Sequence, residues 1–347
     1  MKKTASKYPT NILSRGWRAL VELSPRHLFR LISRAHSKLD RLEKAAARND
    51  EALERMELDR QLVDKGTQIL LALRYQQLAE EKKVLPFNEV EFRNYSQSGE
   101  DGIIHYIFSL IGTTNRKSVE MCAGIGSECN TANLIINHGW HGLLIDGDES
   151  NVQKARAFYA SHKDTKIKGP KFLHRWIDRD GVNDILRDSG FSGELDLFCL
   201  DLDGVDFWIW KAITQISPRL VVVEVNRSMG GKSVTVPYDP EFQCQFASLA
   251  NDNPPSSAQI LEGRTDLIGK VDFYGGASLP AFVKLGKEKG YRLIGATHIG
   301  FNAFFMRQDV GLEYFPEVSA ESCLCGSDEQ VIALAARQLQ AYEWQSI

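Results

Sequence analysis

The chain has 347 residues, 43% of them hydrophobic, and a formal net charge of -3. That balance fits a globular protein with ample core and argues against a disordered or fibrous one, while the length admits one α/β unit with appendages as readily as two or three domains. No apolar run approaches the roughly 18 residues of a membrane span, and no apolar signal region follows Met1-Lys2-Lys3, so a cytoplasmic protein is expected.

The near-neutral total hides an asymmetry. Residues 1 to 48 hold twelve Lys/Arg against three Asp/Glu, a surplus of +9 that leaves -12 for the rest. Such a basic arm suits anionic lipid, nucleic acid or an acidic partner, or is simply a solvated face. Ile12, Leu13, Trp17, Leu20 and Val21 among Arg15 and Arg18 suit a short interfacial helix in peripheral contact with an anionic membrane. From about Pro25 to Lys83, Leu28, Leu31, Ile32, Leu39, Leu42, Leu53, Met56 and Leu62 fall at three- and four-residue spacing, and Leu70 to Leu78 continues the pattern. One or two long amphipathic helices are expected, either packed on their own domain or serving a homo-oligomer. The repeat is too irregular to establish a coiled coil.

Pro86 closes that region. A polar cluster, Tyr95-Ser96-Gln97-Ser98-Gly99-Glu100-Asp101-Gly102, then precedes an apolar helix, Ile103 to Ile111, with Ser96 or Ser98 as the expected cap. The segment Ser118 to Asp148 organises the rest. A short apolar run ends at Glu120, a turn carries Gly124 and Gly126, a helix runs from Asn130 to His138, and a second apolar run from Gly142 to Ile145 ends at Asp146 and Asp148. This is a strand, turn, helix, strand unit of the kind that holds a nucleoside: glycines allow close backbone approach, a helix start offers free amides, and an acid ending the second strand accepts ribose hydroxyls. A dinucleotide fingerprint wants a third glycine where Cys129 stands, which disfavours a nicotinamide cofactor. A plain crossover with packing glycines is the bland alternative.

A helix from Val152 to His162 and a third strand, Lys171 to Ile177, follow. Trp176 or Ile177 is placed to flank an adenine ring, with Trp176 equally suited to join the core, and Asp178 to accept the adenine amino group. The fourth strand, Leu195 to Leu200, runs into Asp201, Asp203 and Asp206, three carboxylates where such sheets place their chemistry. The fifth, Arg219 to Val225, is nearly all apolar, as a buried parallel strand should be, yet contains Glu224 and ends at Asn226. Residues 227–276 break the rhythm with paired glycines and prolines and read as an insertion over the crevice, serving the acceptor. A helix, Leu279 to Lys289, and strands Tyr291 to Ala296 and Asn302 to Arg307, joined as an antiparallel hairpin, close the domain. A last helix is expected from Glu329 to Trp344. The six cysteines, 122, 129, 199, 244, 323 and 325, contain no C-x-x-C pair, which favours a reduced compartment and no zinc site.

In the stretches Tyr95 to Gly102, Val119 to Thr131, Gly142 to Asp148, Leu200 to Lys211, Val222 to Asn226 and Gly276 to Arg307, the sequence resembles the FkbM-like methyltransferases, over roughly residues 86 to 310. The resemblance implies a Rossmann-like class I sheet, parallel with one antiparallel closing strand, behind an α-helical N-terminal region. It implies S-adenosylmethionine as donor and an oxygen of a sugar or other small molecule as acceptor. The domains would be a helical arm, 1–85, the methyltransferase domain, 86–312, and a tail, 313–347. Carried over by position, Gln97 belongs to a flap over the cofactor; Glu120, Cys122, Gly124, Gly126 and Thr131 form its turn, Asp146 holds its ribose, and Asp201 with Asp203 and Gly204 matches the acidic segment after the fourth strand. Cys122 stands where the family has glycine, and Cys129 where serine is common.

A sulfonium methyl is already activated, so alignment and exclusion of water are the main tasks, with a base for the acceptor hydroxyl. Asp203 and Asp201 are the base candidates. His298 stands behind them, its alternative being a turn residue satisfied locally. Asp201, Glu224 and Asn226 offer oxygen ligands to Mg²⁺, which would lower the acceptor's pKa, a constellation resembling that of metal-dependent O-methyltransferases. A nicotinamide oxidoreductase and a non-catalytic assembly protein using the helical arm are the competing classes. No specific nucleic-acid partner is expected.

Overall fold

The computed structural model describes residues 63–248, 271–324 and 339–347, together with His36, Lys38 and Lys44. The chain divides into two compact units, Met1–Arg60 and Gln61–Ile347. The expected helical repeat before residue 63 and the interfacial segment around Trp17 lie outside the described residues. No helix among the described residues is long and apolar enough to cross a membrane.

The second unit is built on a seven-stranded sheet. Its strands are β1 (Lys117–Met121), β2 (His141–Asp146), β3 (Lys171–His174), β4 (Gly193–Leu200) and β5 (Ile216–Glu224), with β9 (Tyr291–Ala296) and β10 (Asn302–Arg307). Their order across the sheet is β3-β2-β1-β4-β5-β10-β9. Strands β1 to β5 are mutually parallel, and β10 is antiparallel to both β5 and β9. This is a Rossmann-like sheet, parallel but for one antiparallel strand, and its order reverses between β1 and β4, where such sheets open a ligand crevice beyond their carboxyl ends.

Two helical layers cover it. On one face lie α1 (Lys65–Glu80), α2 (Glu100–Ile111), α3 (Ala132–His138) and α4 (Glu149–Ser161); on the other α5 (Val182–Asp188), α6 (Asp206–Ala212) and α7 (Leu279–Glu288). Alternation sorts the strand side chains: Leu144, Cys199, Val222 and Phe304 meet the first layer, whereas Ile145, Leu200, Val223 and Phe305 meet the second. Trp210, Phe282 and Phe305 are wholly or almost wholly buried in that second core. Helix α8 (Ala320–Cys323) follows the sheet.

The insertion after β5 contributes β6 (Val234–Thr235), β7 (Gln245–Ser248) and β8 (Val271–Tyr274), of which β7 and β8 pair antiparallel. The expected last helix differs in its final part. Residues 339–341 are helical, but Trp344 is not, because Gln345–Ser346 form β11, an antiparallel partner of β6. Residues 329–338 lie outside the description.

One internal anchor fixes the lower end of the sheet. Asp196, fully buried, accepts from the backbone amides of Thr114, Asn115 and Arg116 and from Arg219 Nη1 at 2.8 Å. Arg219 also donates to the carbonyls of Ile111 and Gly112, tying the end of α2 to β4 and β5.

Candidate active site

The register of the ladder assembles the site. Met121 is level with Ile145 and Leu200, Leu200 with Val223, and Glu224 with Asn302. The next row at the carboxyl edge therefore contains Asp146, Cys122, Asp201, Glu224 and Asn302, contributed by β2, the β1 exit, the β4 exit, β5 and β10.

At the β1 end, Glu120 is buried and its oxygens accept from the amides of Asn130 (2.7 Å) and Thr131 (2.9 Å) and from the Thr131 hydroxyl. It fixes the turn to the start of α3 rather than reaching into the crevice, and burial raises its pKa despite those bonds. Gly124 and Gly126 adopt left-handed backbone, φ 52° and 80°. A Cβ at Gly126 would lie 3.0 Å from both Ala155 and Tyr159, so α4 packs directly on the turn. Cys122 also has positive φ, 64°, a conformation glycine takes without strain. The residue is exposed, yet close packing around its thiol, followed by the fields of Asp201, Asp146 and Asp203, holds the thiol neutral well above its usual range. Cys129 points inward instead, its Sγ donating to Ala123 O at 3.1 Å in a fully buried setting.

Asp146 is 4% exposed. Its Oδ2 accepts from Gly124 N at 2.7 Å and its Oδ1 from Asp148 N at 2.8 Å and Asn151 Nδ2 at 3.2 Å, so the acid at the end of β2 is locked to the β1 turn. Beside it, Trp176 lies 52% exposed, and a Cβ on Gly147 would meet its ring at 2.9 Å. The indole Nε1 donates to Pro240 O at 2.6 Å, which draws the insertion over the crevice. Asp178 accepts from Asp180 N and Gly181 N and so forms the turn into α5, using one carboxylate oxygen for that purpose.

The lead-in before α2 is self-clamped. Asp101 Oδ2 takes four bonds, from the amides of Asn94, Tyr95 and Ser96 and from Ser96 Oγ, and burial pushes its pKa up to about 6. Glu100 Oε2 accepts from Ser98 N; Gly99 holds the cap position of α2, while Ser96 Oγ accepts from the first-turn amide of Asp101 at 3.1 Å, the role expected of a cap. Gly102 has no room for a side chain, since a Cβ would lie 2.1 Å from Val90 O. Gln97 sits half-buried on this fixed flap.

At the centre, Asp201, Asp203 and Glu224 each bring a carboxylate oxygen within 4.8 Å of the others, all three half-buried. Asp203 adopts left-handed backbone, φ 54°, which an Asp tolerates better than most residues. Asp206, the third acid of the segment, instead accepts from Leu202 N and Gly204 N, shaping the loop that presents the other two, and burial raises its pKa to about 6. Burial, then Asp203 and Asp206, lifts Asp201 well above the carboxylate range; burial, then Asp201 and Asp203, does the same to Glu224; burial raises Asp203. With oxygens this close, the three groups do not all stay ionised unaided, so the trio carries a proton or takes up a cation.

Two expected members lie elsewhere. Asn226 spends its side chain on Gly275 O, 2.9 Å away, and on the amide and hydroxyl of Ser228. His298 stands in the β9–β10 turn, where Glu91 binds both its backbone amide and its Nδ1. The insertion meets the site from above. Phe242 fills the space left by Gly204, whose Cβ would be 2.7 Å from the ring, and Trp208 Nε1 donates to Val236 O. Phe242 thus packs on the loop that carries Asp203, with Tyr274 behind it.

No protein-family model matches the sequence, and no curated protein sequence matches it. Among solved structures it is similar in part to an S-adenosylmethionine-dependent methyltransferase from Clostridium acetobutylicum ATCC 824, with 10% identity, 68% of this chain and 97% of that chain covered, and a TM-score of 0.36. It is similar also to the N-terminal domain of EvdMO1 with SAH bound, at 12% identity, 67% and 93% coverage and a TM-score of 0.36. PKMT2 from Rickettsia typhi in complex with AdoHcy gives 12% identity, 61% and 53% coverage and a TM-score of 0.38. At that extent of overlap none of them bears on the chemistry.

Proposed function

We propose that the protein is an S-adenosylmethionine-dependent methyltransferase that acts on a hydroxyl of a sugar, glycan or related small molecule, with a divalent cation such as Mg²⁺ at the carboxylate trio. The carrying observation is the transverse row at the crevice floor, in which an acid locked to a glycine turn stands on one side of the strand-order reversal and three clustered carboxylates on the other. The FkbM-like sequence stretches support the same reading.

The residues fit both groups. The β1 turn presents backbone without a side chain at Gly124, Asp146 at the end of β2 suits a ribose, and Trp176 offers a flat, half-exposed ring for adenine. Asp201, Asp203 and Glu224 are hard oxygen donors with raised proton affinity, the setting in which a cation replaces a proton. When bound, S-adenosylmethionine supplies a sulfonium methyl whose C–S bond breaks as the O–C bond forms, and a cation at the trio lowers the pKa of the acceptor hydroxyl. The chain's own share is to align and to move a proton. Asp203, on its strained loop, takes the hydroxyl proton, with Asp201 behind it; Asp206 holds their loop; the flap and the insertion exclude water. Phe242, packed on the loop of Asp203, suits the apolar face of a sugar ring.

The test is transfer of a radiolabelled methyl from S-adenosylmethionine to a panel of glycosides and phenolic or aliphatic alcohols, with Mg²⁺ or with chelator. Cation-dependent labelling of an oxygen, lost in Asp203→Asn, supports the reading; labelling confined to amines, or unaffected by Asp203→Asn, opposes it.

A further inference from the structure

Of the row of residues at the carboxyl edge, the functional reading leaves Cys122 and Asn302 unused, and Asn302 is the one with a buried amide to satisfy. Asn302, the first residue of β10, is the ladder partner of Glu224. Directly opposed residues leave the sheet on the same face with Cβ atoms roughly 5 Å apart, so Asn302 stands beside the trio. It is 5% exposed. Its Nδ2 donates to Glu100 Oε1 at 2.9 Å, and Glu100 is itself wholly buried and held by Ser98 N through its other oxygen. A carboxylate accepts, so this bond decides which end of the amide faces Glu100 and turns the carbonyl away from it.

That carbonyl, Oδ1, is buried without a hydrogen-bond partner. Leaving such an acceptor unpaired costs its full desolvation with no hydrogen bond in return. Its ladder neighbour Glu224 brings further acceptors, clustered with those of Asp201 and Asp203. An unpartnered buried carbonyl beside a cluster of carboxylates calls for something positive or donating between them.

We infer that Asn302 Oδ1 is the fourth oxygen of this site, completing with Asp201, Asp203 and Glu224 a ligand set for a hard divalent cation, and that Glu100 is the positioning residue that aims it. Three acidic oxygens and one neutral oxygen suit Mg²⁺ or Mn²⁺, which keep their remaining positions for water or the acceptor oxygen. The inference deepens the proposed function and rests on its cation. It also gives Glu100 a role: the same residue clamps the flap through Ser98 and orients Asn302, so cation occupancy and flap order share one link.

The probe is Mn²⁺, titrated into the full chain by calorimetry and electron paramagnetic resonance, with S-adenosylhomocysteine binding and thermal stability measured alongside. Asn302→Ala is expected to weaken Mn²⁺ about tenfold or more, as is Glu100→Gln, with homocysteine-product affinity held within about twofold. The exchange Asn302→Asp with Glu100→Gln, which keeps a bond between the two positions with its donor and acceptor swapped and keeps an oxygen in place, is expected to restore Mn²⁺ binding, a rescue that a merely structural role would not produce. Equal Mn²⁺ affinity in wild type and Asn302→Ala overturns the assignment; if that variant does not fold, equal affinity in Glu100→Gln does so. A wild-type protein that binds S-adenosylhomocysteine but no Mn²⁺ overturns the cation site and leaves the cofactor reading intact. Asn302-dependent Mn²⁺ binding without any binding of S-adenosylhomocysteine supports the site and removes methyl transfer.

Discussion

Replacing Cys122 by glycine tests whether the crevice floor is built as described. Cys122 is held at φ 64°, where an L-residue costs about 1–2 kcal/mol because its Cβ crowds the following carbonyl. Glycine removes that strain but gives back about 0.4–1 kcal/mol through the freedom it adds to the unfolded chain. The net expectation is a stabilisation of about 0.5–1 kcal/mol, or roughly 1–4 °C in Tm for a domain of this size. The same change clears side-chain atoms from beside the turn that would receive the cofactor, so affinity for S-adenosylhomocysteine should rise. Cys122→Ala is the control: it removes the thiol but keeps the Cβ, hence the strain, and should leave Tm unchanged or lower. Differential scanning fluorimetry and calorimetric titration on the three proteins read both effects. A glycine variant no more stable than the alanine variant, with unchanged ligand affinity, would refute the reasoning, because backbone strain and side-chain obstruction would then both be absent.

Asp196→Ala should cost about 3–5 kcal/mol in chemical denaturation, because it strands the nearly buried Arg219 guanidinium and three backbone amides; a loss under 1 kcal/mol would contradict the anchor. Asp101 binds its proton more tightly folded, at about 6, than unfolded, near 3.8. Its contribution is therefore fully present below about pH 4 and lost as pH rises through about 6, a change on the order of 3 kcal/mol. Stability measured against pH in wild type and Asp101→Asn should diverge over that window, and parallel profiles would oppose the assignment. Trp176→Ala should leave Tm nearly unchanged, since the ring is half-exposed, but weaken nucleoside binding by about 1–3 kcal/mol through lost stacking; unchanged affinity would place adenine elsewhere.

The sheet was legible because buried parallel strands are continuous apolar runs, as in Leu220–Val223, and because β9 and β10 are separated by a turn too short for a crossover. Helix α2 begins earlier than apolar periodicity suggests, since Glu100 and Asp101 form its first turn while their carboxylates clamp the preceding loop. Trp344 reads as helical, yet in the fold it leads into a strand pairing with β6, a long-range partner that local pattern does not reveal. In the site, Asp146, Asp201 and Glu224 follow from the rule that ligands gather at the carboxyl ends of parallel strands. Asn226 satisfies the same rule but caps the short turn at Arg227–Met229. Asn302 escapes the rule altogether, because an antiparallel strand brings its first residue, not its last, to that edge. Only the register with Glu224 exposes it, and that register becomes readable once the hairpin is placed beside β5.

The most direct measurement is calorimetric titration of the purified chain with S-adenosylmethionine and S-adenosylhomocysteine, with NAD as comparison and Asp146→Asn as control. The account predicts micromolar binding of the methyl donor or its product, weakened at least about tenfold in Asp146→Asn, and no comparable binding of NAD. Binding of NAD alone, or of neither ligand by a folded protein, would contradict it.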